Sequence, residues 1–377
     1  MSIIENSATI GFIISHACPL KCDFCCHDRG TIGARRIDRA TMRTSLLQFC
    51  AEPTVTRFAF SGGDPFLYFD DIVEVVASAR SAGVVQPFHL VTSGYWADGA
   101  TTEARLARLR ALGMDRLNVS YDVEHARWVT PDQIREVARA ARALGIHVEL
   151  YASFWNREDD IRALLPDVDQ LADEVNVYAV ARSGRAARSG RRTTMAVPLQ
   201  SKFSCGAPSH YSMAVYPDGE VYPCCAGDFN SAARLSCGNI RIHRPADILA
   251  NAYRNFHVRM AKELGWGALY ALIERDHPEL VAQLPRFEDV DTPCEICREL
   301  NTRLKDALRP IYDVIEREYA RTMAEHEWRA RDAARPDQAQ WRFGGQCGTR
   351  DWLIDRLASD RSARERYIAG LETIEAA

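Results

Sequence analysis

Short runs of β-branched and aromatic residues alternate with amphipathic stretches along roughly the first 180 residues of the chain. Six runs have the length and composition of buried strands: 9–15, 57–60, 88–93, 116–121, 147–154 and 174–180. Five intervening stretches repeat their apolar residues at helical spacing: 38–49, 70–82, 102–111, 131–144 and 159–171. This alternation predicts βαβ units and a parallel sheet in an α/β fold. Periodicity alone fits a doubly wound sheet and an incomplete barrel equally well.

The pattern changes after this region. An arginine-rich run at 181–192 is typical of a linker or solvated loop, and residues 205–300 contain six cysteines among turn-forming residues. From residue 301 onwards, apolar residues recur at helical spacing and predict an amphipathic helix, with Leu304, Leu308, Ile311, Ile315, Tyr319 and Met323 on its apolar face. We therefore expect three parts: a parallel α/β domain at 1–190, a small cysteine-rich domain at 191–300 and a helical extension at 301–377.

Composition and charge exclude several functional classes. The 377 residues are 47% hydrophobic and 26% charged, with a formal net charge of −4, which argues against disorder and against general nucleic-acid binding. No apolar run approaches the ~18 residues of a membrane span. Glu5 stands where an export signal would carry positive charge, so we expect a cytoplasmic protein. Twelve cysteines in a reducing compartment then indicate metal or redox chemistry rather than disulfides.

The first cysteine cluster follows the first predicted strand directly. Cys18, Cys22 and Cys25 have the spacing CxxxCxxC, and three thiolates on one tight loop suit three corners of a four-iron cluster. The fourth iron would then be open to an external ligand. Zinc normally takes four protein ligands in a structural site, and a thioredoxin-like pair of Cys22 and Cys25 would leave Cys18 without a role. Both alternatives fit the spacing less well than an iron–sulfur cluster.

This cysteine loop resembles the signature of the radical S-adenosylmethionine (SAM) superfamily. Phe24, which precedes the third cysteine, belongs to the resemblance and would lie near the adenine of SAM. After the second strand, Gly62-Gly63-Asp64 resembles the Gly-Gly-Glu motif that holds the methionine amino group, although Asp64 is one methylene shorter than the usual glutamate.

Further matches follow at the ends of the next strands. Ser93 closes the third strand, and Ser120 and Asp122 close the fourth, at positions that contact the ribose hydroxyls and the methionine carboxylate in this family. As isolated residues, Ser120 and Asp122 would also suit a polar strand end and a helix cap.

The resemblance implies the fold and the reaction. It implies a partial (β/α)6 radical SAM barrel, with the site at the C-terminal ends of its strands. It also implies that a 4Fe-4S cluster chelates SAM, cleaves it reductively to a 5′-deoxyadenosyl radical and thereby removes a hydrogen atom from the substrate. A flavodoxin- or ferredoxin-type protein would supply the electron.

A second set of cysteines lies in the 191–300 region. Cys205, Cys224, Cys294 and Cys297 would supply four thiolates, which suffice for a second 4Fe-4S cluster or for a structural zinc site. The spacing from Cys205 through Gly219 to Cys224 resembles the opening of the SPASM/twitch extension of radical SAM enzymes. A full SPASM domain has another cysteine shortly after the CxxC pair, and none lies in 298–309. The resemblance therefore implies the twitch form with a single auxiliary cluster.

Two other cysteines are candidates for chemistry. Cys225 is an alternative to Cys224 as a cluster ligand, and Cys347 lies in a glycine-rich segment. In an epimerase, either thiol could return a hydrogen atom to a substrate radical. The usual role of such extra cysteines is that of a small buried hydrophobic residue.

Three functional classes remain open. The first is tailoring of a ribosomally synthesised peptide by cross-linking, dehydrogenation or epimerisation, of which we expect an oxidative reaction. The second is dehydrogenation or epimerisation of a small molecule such as an aminosugar or aminocyclitol. The third is a non-enzymatic metal-binding regulator, which would leave the SAM-contacting series without a purpose. We expect no N-terminal leader-binding domain before the first strand, which counts against many peptide-modifying enzymes, whereas the charged helical extension offers surface for a larger substrate. The expectation is a peptide substrate.

Overall fold

The computed structural model describes residues 7–27, 35–195, 205, 210–224, 235–259, 261–262, 265–312 and 314. They belong to two compact units. The barrel unit comprises Ser7–Ala196 and Tyr211–Ala252, and the helical unit includes Val197–His210 and the chain from Tyr253. Each unit is described by itself.

The barrel unit is built on a sheet whose first six strands are the six predicted from the sequence. These strands are parallel and lie in sequential order, and each ends within two residues of its predicted limit. They are β1 (Ser7–Ile13), β2 (Val55–Ser61), β3 (Phe88–Thr92), β4 (Met114–Ser120), β5 (His147–Phe154) and β6 (Glu174–Ala179). Because the strand order never reverses, the winding is that of a barrel and not that of a doubly wound sheet. The predicted α/β fold with a partial barrel is confirmed.

Three antiparallel strands continue the sheet beyond β1. They are β7 (His210–Val215), β8 (Glu220–Tyr222) and β9 (Gly238–Asn239), in the order β1-β7-β8-β9. Ile13, Ala214 and Tyr216 form a small hydrophobic cluster at this junction. The strands of the cysteine-rich region are thus part of the same sheet as the barrel.

Helices follow the parallel strands along the chain of the barrel unit. They are α1 (Arg39–Phe49), α2 (Phe69–Ser81), α3 (Ala100–Ala111), α4 (Pro131–Ala143), α5 (Ile161–Leu164), α6 (Val168–Leu171) and α7 (Gly184–Arg188). Helix α4 begins with a capping box between Thr130 and Gln133, which satisfies two backbone N–H groups at its N-terminus. The single helix predicted at 159–171 is wrong, because Pro166 interrupts it and leaves the two short helices α5 and α6.

Alternation along the strands separates the helix-facing core from the opposite face. On β2, Phe58 and Phe60 are buried beside Phe12 of β1, whose ring centroid lies 5.7 Å from that of Phe60. The residues that alternate with these phenylalanines, Arg57 and Ala59, point to the other face. Since β1–β6 are parallel, the loops that follow them lie along one edge of the sheet, and these strand ends and loops carry the residues predicted to bind the first cluster and SAM.

The chain from Tyr253 contributes a helical core of its own. Its elements include α9 (Phe256–Arg259), α10 (Trp266–Asp276) and α11 (Pro293–Asn301), which come after α8 (Pro245–Arg254). Trp266, Leu269, Leu272, Ile296 and Leu300 are buried together with Leu304, Leu308 and Ile311. Residues 305–312 are helical, as the apolar spacing predicts, whereas the predicted positions from Ile315 onwards lie outside the described residues. In the described part of the chain, no helix is long and apolar enough to cross a membrane.

Candidate functional site

The first cysteine loop leaves the C-terminal end of β1 and turns tightly on itself. The backbone N–H of Leu20 donates to Cys18 Sγ at 3.4 Å, and the N–H of Cys25 donates to the Cys22 carbonyl at 3.2 Å. Cys22 is buried, while Cys18 and Cys25 are partly exposed. The three predicted thiols therefore lie on one compact turn.

The electrostatics of this turn fit a site that binds a cation. Burial raises the pKa of the Cys18 thiol to about 12, and negative charge at Asp64, Cys22 and Cys25 adds to the effect. Burial and the neighbouring Cys26 also raise the pKa of Cys25. Each thiolate raises the pKa of its neighbours, and a bound metal would favour the loss of their protons.

The carboxylates and the imidazole at the opposite edge of the sheet form a separate candidate group for a metal ion. Among the described residues, the group whose metal-binding atoms approach within 4.8 Å of one another is His147, Glu149 and Glu174, and it contains no cysteine. That group lies where β5 and β6 begin, and Arg116 already pairs with Glu149. A four-iron cluster binds each thiolate through a different iron and so needs a wider spread of ligands than one zinc ion does. The chemistry of the Cys18–Cys25 turn fits such a cluster.

The glycine loop after β2 packs directly against the cysteine loop. The N–H of Gly63 donates to the Ser15 carbonyl at 2.7 Å, and the N–H of Asp64 donates to the Ala17 carbonyl at 3.0 Å. A Cβ atom at Gly63 would overlap the Ala17 carbonyl. Glycine is therefore required here for the two loops to make contact at the end of β1.

Asp64 joins the glycine loop to the end of β3. Its carboxylate is buried and accepts hydrogen bonds from the Ser93 N–H and the Ser93 hydroxyl, both at 2.8 Å. The Thr92 hydroxyl donates at 3.0 Å and the Phe66 N–H at 3.1 Å. Burial raises the pKa of Asp64, and these donors oppose the shift. Asp64 and Ser93, two predicted SAM contacts, are thus in direct contact, and the carboxylate fixes the loop geometry.

Asp122 organises the loop after β4. One oxygen accepts from the backbone N–H groups of Glu124 and His125, at 3.0 and 3.1 Å, and lies 2.9 Å from His125 Nδ1. The other oxygen accepts from the Ser153 N–H at 3.2 Å. Burial alone would favour a neutral imidazole, but Asp122 and the nearby Cys22 raise the pKa of His125 to about 10. The Asp122 carboxylate therefore favours the protonated form of an imidazole that lies close to Cys22.

His125 was not identified from the sequence. Its ring centroid lies 5.7 Å from that of Phe24, so the predicted adenine-side residue and this imidazole are neighbours. The sequence could have indicated His125 through its position three residues after Asp122, on the same loop. Ser120 lies at the end of β4, opposite Tyr151 of β5, and is partly exposed.

Charged residues of the same β4 loop hold the cysteine loop from outside. Glu124 Oε2 accepts from the Asp23 N–H at 3.2 Å and from an Arg127 N–H at 2.9 Å. Arg127 also donates to the Asp23 carboxylate at 3.2 Å. These bonds fix the middle of the turn that carries Cys22 and Cys25.

Gly184 and Arg185 close over the other side of the cysteine loop. The Arg185 N–H donates to the Cys25 carbonyl at 2.9 Å, and its guanidinium donates to the Cys22 carbonyl at 2.8 Å. A Cβ atom at Gly184, whose φ is +56°, would lie 2.5 Å from the carbonyl oxygens of both Cys25 and Cys26. The chain after β6 therefore holds the cysteine turn in place through backbone contacts.

Replacing Gly184 by alanine is expected to destabilise this turn. Alanine in the left-handed region costs about 1 kcal/mol, and the clash with two carbonyls adds about 2 kcal/mol. Gly190 has a similar φ of +68° and open space around it, so Gly190→Ala should show the first cost alone. The measurement is denaturant unfolding of both variants, with iron content after anaerobic reconstitution. Equal stability of the two variants would show that the contact with the cysteine loop is unimportant.

The predicted auxiliary ligands are divided between the two units. Cys205, Cys294 and Cys297 belong to the helical unit, and Cys224 follows β8 in the barrel unit. Cys294 and Cys297 lie on α11, and both Cys205 and Cys297 pack against the helical core. The buried Lys262 ammonium donates to the Cys205 carbonyl at 3.2 Å. Cys225 and Cys347, the candidate hydrogen donors, lie outside the described residues.

Two family models match the chain. The radical SAM superfamily model matches residues 12–154, which include the cysteine loop, the glycine loop and the ends of β3 and β4. The SPASM model, an iron–sulfur cluster-binding domain, matches residues 205–266. The matched ranges contain all seven predicted ligands except Cys294 and Cys297.

The proteins similar to this chain include a relative from Bacillus subtilis and two solved structures. The chain is 21% identical over 228 residues to YydG of Bacillus subtilis, described as a peptide biosynthesis protein, covering 58% of this chain and 69% of YydG. The fold matches anSMEcpe with bound AdoMet at a TM-score of 0.50 and 11% identity, covering 81% of this chain and 95% of that one. It also matches Streptococcus suis SuiB, solved with the precursor peptide SuiA, at a TM-score of 0.50 and 13% identity, covering 68% and 66% of the two chains. With the CxxxCxxC loop at the end of β1 of a partial barrel, the two family models identify residues 12–154 as a radical SAM domain and residues 205–266 as a SPASM-type iron–sulfur domain, so the chain is a radical SAM enzyme.

Proposed function

We propose that this radical SAM enzyme oxidatively modifies a ribosomally synthesised peptide, by forming a cross-link or a double bond. The observation that carries the proposal is the similarity to YydG, described as a peptide biosynthesis protein, over more than half of the chain. SuiB, which shares the fold, was solved with a precursor peptide. A flavodoxin- or ferredoxin-type reductant is part of the proposal.

We propose two four-iron clusters. Cys18, Cys22 and Cys25 would hold the first, which leaves one iron open for SAM. Cys205, Cys224, Cys294 and Cys297 would hold the second, which four thiolates saturate. When bound, the first cluster and SAM supply the hydrogen-abstracting 5′-deoxyadenosyl radical that characterises this superfamily.

The loops at the ends of β1–β4 would position SAM. The Asp64 carboxylate holds the glycine loop and Ser93 in one arrangement, so Gly62, Gly63 and Asp64 would present a fixed edge to the methionine group. Phe24 and His125 would border the adenine side, and Ser120 and Asp122 would lie towards the ribose and carboxylate groups. Because these loops are already held in one arrangement before SAM binds, less conformational entropy is lost on binding.

The protein would also determine which product forms from the substrate radical. Removal of one hydrogen atom leaves a carbon radical, and loss of one further electron and one proton gives a product two hydrogens lighter. A saturated auxiliary cluster has no iron free to bind the peptide, so its simplest role is to accept that electron. Epimerisation would instead require a thiol that returns a hydrogen atom, for which Cys225 and Cys347 are the candidates.

The two outcomes separate in deuterated water. The reconstituted enzyme is incubated with SAM, a reductant and the peptide encoded by any short open reading frame found beside its gene. We expect the peptide mass to fall by about two units per 5′-deoxyadenosine formed, because two hydrogens leave and none returns. Deuterium should not enter at the reacting carbon. Mass spectrometry with fragmentation locates the change.

Two controls and two contrary outcomes complete this experiment. Enzyme without SAM, and the Cys18→Ala variant, should leave the peptide unchanged. A product of unchanged composition with one solvent deuterium, lost on Cys225→Ala or Cys347→Ala, would mean epimerisation. Turnover of an aminosugar or aminocyclitol, with none of the peptide, would favour the small-molecule alternative.

A further inference from the structure

Two nitrogen atoms lie against the sulfur of Cys297 in the helical unit. His257 Nε2 is 3.5 Å from Cys297 Sγ, and Asn301 Nδ2 is 3.6 Å from it. Asn301 follows Cys297 by one helical turn on α11, and its amide also donates to the Cys297 carbonyl at 2.7 Å. The Asn301 amide is therefore held by the backbone of Cys297 and lies near the sulfur of the same residue.

This group is held inside the helical core. Asn301 is 1% exposed and His257 is 6% exposed. The rings of Trp266 and Tyr312 pack on the imidazole, with centroids 4.9 and 5.9 Å away. Hydrogen bonds in such a low-dielectric environment are stronger than the same bonds in water.

An N–H group faces the sulfur in either tautomer of His257. If the proton is on Nε2, the imidazole itself can donate to Cys297 Sγ at 3.5 Å, and its contact with the Asn301 amide nitrogen is then not a hydrogen bond. If it is on Nδ1, then Nε2 accepts one N–H of Asn301 at 2.8 Å and the Cys297 carbonyl accepts the other at 2.7 Å, so the sulfur at 3.6 Å shares one of these two N–H groups. The arrangement thus provides at least one donor to a thiolate at this position.

We propose that His257 and Asn301 are positioning residues that raise the reduction potential of the auxiliary cluster by hydrogen bonding to the Cys297 thiolate. This inference rests on the proposed function, in which Cys297 is a cluster ligand. Added electron density on a cluster spreads onto its sulfur ligands, so donors to these sulfurs stabilise the reduced state. A higher potential makes the auxiliary cluster a better acceptor for the electron that leaves the substrate.

The test uses a full-length background in which Cys18, Cys22 and Cys25 are alanine, so that only the auxiliary cluster remains. In this background we compare His257→Phe, His257→Gln and Asn301→Leu with Tyr312→Phe, which keeps the packing around the imidazole and alters no donor to the sulfur. The measurements are iron per chain and a reductive titration followed by electron paramagnetic resonance.

We expect His257→Phe and Asn301→Leu to retain the auxiliary iron and to shift the midpoint potential to more negative values. Tyr312→Phe should leave it unchanged, and His257→Gln, which restores an N–H group, should recover part of the shift. Unchanged potentials in both donor variants would overturn the inference. So would loss of all iron in His257→Phe, which would make the imidazole a ligand. If the background protein itself binds no iron, the proposed auxiliary cluster is wrong.

Discussion

Replacing Cys18, Cys22 and Cys25 together by alanine is expected to abolish 5′-deoxyadenosine formation and to remove about half of the bound iron. The reason is that the three thiols lie on one turn, fixed on both sides by Glu124 and Arg185, and nothing else on that turn replaces three thiolates. The measurements are liquid chromatography of SAM cleavage products and iron analysis after anaerobic reconstitution.

Cys26→Ala provides the matched control. Cys26 is adjacent to the ligand Cys25 and partly exposed, but it lies outside the CxxxCxxC spacing. This variant should keep its iron and its SAM cleavage activity. If Cys26→Ala loses activity as completely as the triple variant, the ligand assignment on this loop is incorrect. Zinc in place of the remaining iron, without visible charge-transfer absorption, would instead contradict the second cluster.

The elements of the barrel were predictable because their signals are local. Strand composition and helical periodicity are properties of ten or so neighbouring residues, and they located all six parallel strands. The same periodicity missed the break at Pro166, where a single residue without a backbone N–H outweighs the surrounding pattern. The three-cysteine spacing was equally local and led directly to the cysteine loop.

The contacts that support the cysteine loop were not predictable from spacing. Arg185 reaches the Cys22 carbonyl across 163 positions of sequence, and Glu124 reaches Asp23 across 101. Such pairs depend on how the barrel brings strand ends together, and one sequence carries no local signal for them. Likewise, the sequence suggested a SAM contact for Asp64 but gave no sign that its carboxylate accepts four hydrogen-bonding groups from the protein.

The auxiliary cysteines should affect a different step. The double variant Cys294→Ser/Cys297→Ser is expected to cleave SAM. It should release only on the order of a few per cent of the normal amount of product. Serine keeps nearly the size of cysteine at both positions, including Cys297, which packs against the helical core, so this core should survive. Parallel assays of 5′-deoxyadenosine and of modified peptide separate the two activities.

This uncoupling follows from the separation of the two sites in the chain. The thiols proposed to cleave SAM lie on the loop after β1, whereas Cys294 and Cys297 lie on α11 of the helical unit. Without an acceptor, the substrate radical would recover a hydrogen atom or decay, so 5′-deoxyadenosine would form without oxidised peptide. The matched control is Cys237→Ala, a buried cysteine outside both motifs, which should keep both activities. Normal product yield from the folded double variant, with half of the iron, would show that the auxiliary cluster does not take part in oxidation and would favour a reaction that returns hydrogen to the substrate.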